Sequence, residues 1–195
     1  MKPVFVISCH ADTGFRLHSL ERLAGGRFRG ILDNFAGVHA VMAAYFSGRL
    51  NHPCVRIELT HGEEVDFAGA KAVLKTLSGR DKVVVVDVTG APTRADITIE
   101  KCRNPNVRRF VQKTLRGIRY DLYEGCPDPV SDADETDVYR RKVSRVFFLG
   151  IPCTGGDYNT GIVVCRKRSI EAAGLALVRF ADAFAKDHPA HLRVL

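Results

Sequence analysis

Apolar residues gather in runs that leave no polar face. Pro3 to Cys9 reads Pro-Val-Phe-Val-Ile-Ser-Cys, Lys82 to Val88 carries four consecutive valines, and Val143 to Leu149 ends in Val-Phe-Phe-Leu. Runs of this length and β-branched content predict strands buried on both faces, as in a parallel sheet flanked by helices. The stretch Cys54–Thr60 is read with them, so the centre of the sheet is expected to hold Pro3–Cys9, Cys54–Thr60 and Lys82–Val88. Helical spacing takes over between the runs. It predicts helices over 36–48, 66–77, 106–116 and 136–141, and a long one from a capping Ser169 to about Ala185. Short strands are expected over 97–102, 120–123 and 162–165, and loops over 124–135 and 155–161. Residues 16–30, with Gly25-Gly26 among four arginines, read as an irregular excursion. The alternation of strand and helix predicts an α/β protein, a three-layer α/β/α domain with a mixed, largely parallel sheet.

Composition changes this picture little. At 195 residues and 46% apolar content the chain is expected to form one domain over 1–195 with a sizeable core. No apolar run reaches the roughly 20 residues of a membrane span. The N-terminal run has no cleavage site, so a cytoplasmic location is expected, without a membrane partner. The six cysteines form no CxxC pair and read as reduced, mostly packed residues. The formal charge of +7 is dispersed, and no nucleic-acid motif accompanies it. It therefore reads as a solvated surface, with a bias toward acidic substrates and no specific nucleic-acid partner.

The chemistry is suggested by what stands where the strands end. His10 and Asp12 follow the first run, Glu63-Glu64 follow the second, and Asp87 closes the third. Open α/β sheets hold their sites at the C-terminal ends of strands. Adjacent carboxylates buried together repel unless a cation relieves them. A metal-dependent hydrolase relieves them by giving one carboxylate to the metal and leaving the other as general base. A solvated acidic pair at a helix N-terminus is the bland alternative. For Asp33, helix capping is the bland role and metal bridging the sharp one.

Taken in order, His10-Ala11-Asp12, Asp33-Asn34 with Ala36-Gly37, Glu63-Glu64-Val65 with Gly69-Ala70, and Asp87-Val88-Thr89 resemble the di-zinc aminopeptidases of the glutamyl or tetrahedral type. These lie within the clan that includes leucyl aminopeptidases and carboxypeptidase-G2-like enzymes. Ser131-Asp132-Ala133, Gly150-Ile151-Pro152 and the loop through Tyr158 look like later signatures of that family. The resemblance implies a zinc-peptidase-like fold and hydrolysis of a peptide or amide bond in a small peptide or acylated amino acid. It implies that His10, Asp33, Glu64 and Asp87 bind metal, with Asp33 bridging. Glu63 would be the general base, Asp12 the support of His10, and Asp132 and Asn159 would line the substrate site. Zinc is the implied ion, one or two per chain, and manganese or cobalt also suit such ligands.

Two departures stand out. Where the family places a last His ligand, this chain has Asn159, whose amide oxygen is a poor zinc ligand, so one tight metal and one weak or empty position are expected. Only about twenty residues separate Asp12 from Asp33, so no lid or dimerisation domain is expected, and lid-mediated assembly does not carry over, although a homo-oligomer is compatible. Two alternatives follow: a catalytically impaired aminopeptidase-like scaffold that binds a ligand or partner, and an unrelated nucleotide-binding α/β fold with magnesium at the acidic strand ends. No glycine-rich phosphate loop supports the latter.

Overall fold

The structure is a computed structural model that describes residues 2–129 and 133–189. In chain order the strands and helices are β1 (Phe5–His10), β2 (Leu20–Leu23), β3 (Arg27–Gly30), α1 (Phe35–Phe46), β4 (Val55–Thr60), α2 (Ala68–Thr76) and β5 (Lys82–Thr89). They continue with β6 (Ile97–Glu100), α3 (Pro105–Thr114), β7 (Tyr120–Leu122), α4 (Glu135–Tyr139), β8 (Val146–Thr154), β9 (Val163–Arg166) and α5 (Lys167–Asp187).

One sheet runs in the order β2-β3-β9-β8-β5-β1-β4, with β6 added beside β8 and β7 beside β6. β4, β1, β5 and β8 are mutually parallel. β8–β9, β9–β3, β3–β2 and β6–β8 are antiparallel. The sheet is therefore mixed and parallel at its heart. The odd-numbered residues Phe5 and Ile7 pack with Val84, Phe147 and Leu149 against α1, α3 and α5, where Val41, Val111, Phe180 and Phe184 fill the layer. Val6, Val83, Val85 and Phe148 face the other way, onto α2 and α4. Helices cover both faces because β1 and β5 leave neither face polar.

Four sequence expectations are corrected here. β4 lies at the edge of the sheet rather than its centre. Its order Val-Arg-Ile-Glu-Leu-Thr alternates, and Leu59 is 45% exposed. Residues 16–30 are not irregular but hold the β2–β3 hairpin, closed by Gly25 and Gly26 at positive φ. β8 does not stop at Leu149. It continues through Pro152 to Thr154 because its edge changes partner from β6, at Phe148 to Gly150, to β9, at Cys153 and Thr154. Pro152 falls in the gap between those partners, where a missing donor costs least. Ser169 does not cap α5; it is fully buried inside the helix, whose cap is Arg166.

In-register parallel pairing sets up the site. His10 lies opposite Thr60, and β5 next to β1 carries Asp87 beyond its paired stretch. The C-terminal ends of β1, β4 and β5 thus open on one side.

Candidate metal centre

His10 is the last residue of β1 and is 1% exposed. Its Nε2 lies 3.1 Å from Asp87 Oδ2 and 3.1 Å from Asp33 Oδ1. Asp87 reaches this point from β5. Asp33 reaches it from the entry to α1, held there by its neighbour. Asn34 Oδ1 accepts from Gly37 N at 3.0 Å to cap the helix, while Asn34 Nδ2 donates to Val86 O at 2.8 Å. Capping therefore falls to Asn34, which leaves Asp33 to face His10. Asp12 sits behind the ring, with Oδ1 3.7 Å from His10 Nδ1. Its other oxygen accepts from Gly62 N at 2.8 Å and ties the loop after β1 to the loop after β4.

Glu63 and Glu64 lie in that second loop. Gly62, at φ 72°, turns the chain, and its carbonyl accepts from Asp66 N at 3.0 Å. Gly69 N then donates to His61 O at 2.8 Å. A Cβ on Gly69 would lie 2.5 Å from His61 N, so the close return needs glycine. The loop brings one atom each of His10, Glu63 and Glu64 within 4.8 Å of one another, and His10, Asp33 and Asp87 satisfy the same limit.

The electrostatics follow from burial. Desolvation alone would depress the His10 imidazole, but Asp87 and Asp33 outweigh it and hold it up to about 12. Burial, then the charge of Asp87, pushes Glu63 up to about 8. Glu64 is raised by burial and by Asp33, and a Gly14 backbone N–H opposes the rise. Burial raises Asp87 too, against the pull of His10. Five carboxylates around one imidazole, Asp12 among them, form a site short of positive charge.

A cation fits this donor set. Nε2 carries at most one proton, so the two oxygens 3.1 Å away on different carboxylates cannot both receive a full linear hydrogen bond. With Asp87 bonded to Nε2, Asp33 Oδ1 has no hydrogen-bond partner. Ligand atoms around a tetrahedral zinc lie roughly 3.3 Å apart, from bond lengths of about 2.0–2.2 Å. The observed spacing matches, and the mixture of imidazole nitrogen and carboxylate oxygen suits zinc.

No family description and no curated protein matches the sequence. Solved structures do match the fold. An aminopeptidase from the archaeon Desulfurococcus kamchatkensis superposes with a TM-score of 0.68 at 21% identity, over 84% of this chain and 51% of that one. A TET aminopeptidase from a marine-sediment thaumarchaeon gives 0.67 at 16% identity, over 83% and 51%. An M18-family aminopeptidase from Thermotoga maritima gives 0.64 at 14% identity, over 84% and 48%. The chain has the aminopeptidase fold. It spans about half the length of these structures.

The cavity beside the cluster has a volume of about 300 Å³. Asp33, Glu63, Glu64 and Asp87 line it, and so does Asn159, exposed in the loop between β8 and β9. Asn159 N donates to Asp157 Oδ1 at 2.9 Å. Asp132, the other residue expected to line the substrate site, lies outside the described residues.

Sequence reading missed several groups. Glu100 ends β6 and lines the cavity with Asp128 and Asp134. An acidic residue closing the apolar run Ile97-Thr98-Ile99 is the same signal that marked Asp87. Glu135 is buried under the site, accepting from Ser8 Oγ at 2.6 Å and Thr60 Oγ1 at 2.5 Å. Nothing in Asp134-Glu135-Thr136-Asp137 separates it from the exposed Asp137.

Proposed function

We propose that this chain is a metal-dependent hydrolase of peptide or amide bonds, aminopeptidase-like in its chemistry. The observation that carries the reading is the single ring nitrogen of His10 shared by Asp33 and Asp87, with Glu63 and Glu64 facing it. His10, Asp33 and Asp87 would hold one divalent ion, zinc first, and Glu64 with Asp33 a second. When bound, such an ion supplies Lewis-acid activation of water and of the substrate carbonyl. Glu63, half-buried and raised to about 8, is suited to take a proton from the attacking water and return it to the leaving amine. Asp12 backs the unpartnered face of His10 and locks its loop to that of Glu63. A small peptide or acylated amino acid is the substrate class that a 300 Å³ cavity admits.

Asn159 at the cavity wall favours a second reading, a binding scaffold with impaired turnover. It offers only an amide oxygen, so the second ion would lack a nitrogen ligand. Zinc titration of the metal-stripped protein separates the readings. The hydrolase reading expects about one tight equivalent per chain, weakened by Glu64→Ala only at the second position. It also expects Glu63→Gln to bind metal normally and hydrolyse nothing, and Asn159→His to add a second tight equivalent. Absence of any tight zinc would sink it. Tight zinc without hydrolysis of any aminoacyl amide would leave the scaffold.

A further inference from the structure

α1 reads Phe-Ala-Gly-Val-His-Ala-Val-Met-Ala-Ala-Tyr-Phe and contains no Lys, Arg, Asp or Glu. Every other helix of the described residues carries at least two of these. The inner side of α1 is buried in the core through Ala36, Ala40, Val41 and Ala44. A surface helix sets polar residues on the opposite side. Here that side is apolar as well, with Phe35 41%, Tyr45 51% and Phe46 79% exposed. Phe35 and Phe46 stand three turns apart and therefore share one face.

The apolar face continues onto the β2–β3 hairpin. His18 meets the Phe35 ring edge-on at 5.2 Å, and Leu17 and Leu20 form the rim, 81% and 70% exposed. Between the hairpin and α1 runs a cleft of about 730 Å³, walled by Leu20, Phe28, Val38, Met42 and Ile170. At the other end of the helix Phe46 projects, its ring braced edge-on by Tyr45 at 5.4 Å. The five exposed side chains present roughly 600 Å² at about 200 Å² per fully exposed side chain. That is the upper end of what a monomer leaves open. Two such faces supply roughly 1,200 Å², the lower bound of a stable protein interface.

We propose that this face pairs with the same face of a second copy of the chain across a two-fold axis, each Phe46 seated in the other copy's cleft between α1 and the hairpin. Two-fold pairing sets groups near the axis against their own counterparts, so a self-pairing face has to be free of charge. Copies of a chain with a formal charge of +7 repel one another elsewhere on the surface, and α1 is where that repulsion is absent. A charged partner would find nothing on the helix to pair with. A helix that lies on a membrane carries Lys and Arg on its polar side, and α1 has neither. Projecting ring and cleft share one face, so insertion is reciprocal and the pair closes rather than growing into a filament. The inference is independent of the hydrolase reading.

The test is sedimentation velocity of the 195-residue chain from about 1 to 100 μM, the weak end of the range for interfaces of this size. The expected mass rises from 21.5 kDa to that of two chains. Phe46→Glu would place a carboxylate in an apolar cleft and is expected to weaken pairing about a hundredfold or more, leaving a monomer throughout. Met42→Glu charges the wall of the receiving cleft and is expected to act in the same direction. Leu59→Glu, on β4 at the opposite edge of the sheet, is expected to pair like the parent. A parent that stays monomeric at about 100 μM overturns the proposal. So does pairing unchanged in whichever of the Phe46 and Met42 variants circular dichroism shows to be folded, or pairing lost equally in Leu59→Glu. Flotation with phosphatidylcholine vesicles is expected to leave the chain behind, and capture of the monomer by the vesicles would give the face to lipid instead.

Discussion

β1 and β5 bury every residue between parallel neighbours, whereas β2, at the far edge of the same sheet, fully buries none of its four. The first pair carries His10 and Asp87 at its C-terminal ends, where packing on both faces fixes them. The hairpin of β2 and β3 carries no member of the candidate site, and Leu20 stands 70% exposed. A polar side chain is aimed most precisely where the strand beneath it cannot move, so β1 and β5 provide His10 and Asp87, while the β2–β3 edge provides cover.

The largest effect that sharpens this contrast is expected from Leu149→Ala in β8, fully buried at the centre of the sheet. It should cost about 2–5 kcal/mol in a denaturant titration. A loss below about 1 kcal/mol would show that the interior is looser than its burial implies.

Glu100 asks whether burial alone, without parallel neighbours on both sides, has the same authority. Its carboxyl is raised from 4.5 to about 7 by burial, against the hydrogen bonds from Thr98 and Thr89. The folded state therefore holds the proton more tightly than the unfolded one. The stability from that proton is complete below about 4.5 and is lost as pH rises through about 7, a change on the order of 3 kcal/mol at about 1.4 kcal/mol per pKa unit. Glu100→Gln should flatten this part of the stability profile, and an unchanged slope would assign it to another group.

Asn34→Ala removes the cap of α1 and the partner of Val86 O. A cost of about 1–2 kcal/mol is expected from thermal melts. Zinc affinity should fall with it, because Asp33 loses its anchor. The smallest effect belongs to the edge. Leu20→Ala should stay within about 0.5 kcal/mol of the parent, and a larger loss would mean that the hairpin is packed more firmly than its exposure suggests.

Much of the interior could be read from the chain. Continuous apolar runs located β1 and β5, and the rule that sites lie at strand ends singled out His10, Glu63, Glu64 and Asp87. β4 was placed wrongly because Val55, Ile57 and Leu59 look like a buried run, although Arg56 and Glu58 interrupt it and none of the five is fully buried. The hairpin escaped notice because Arg27 and Arg29 flank Phe28 on strands that face solvent, where no apolar alternation is required. Asp33 and Asn34 are equally good caps in sequence. The hydrogen bond that Asn34 Oδ1 accepts from Gly37 N decides between them. Glu100 was overlooked because it precedes Lys101 and resembles a surface charge pair, although Lys101 turns away to Asp134 and Asp137.

The pairing of β3 with β9 has a consequence for how the chain is made. Phe28 sits opposite Cys165, so a strand near the start of this chain waits for one near its end. During synthesis β1, β4 and β5 can pair as soon as residues to Thr89 have emerged, while β2 and β3 have nothing to dock on until β9 follows. Such long-range closure is slow, and for that interval Phe28, which packs against the core once β3 is docked, is open to other chains. The Glu21 and Arg22 charges on β2 then act as guards against pairing with a stranger.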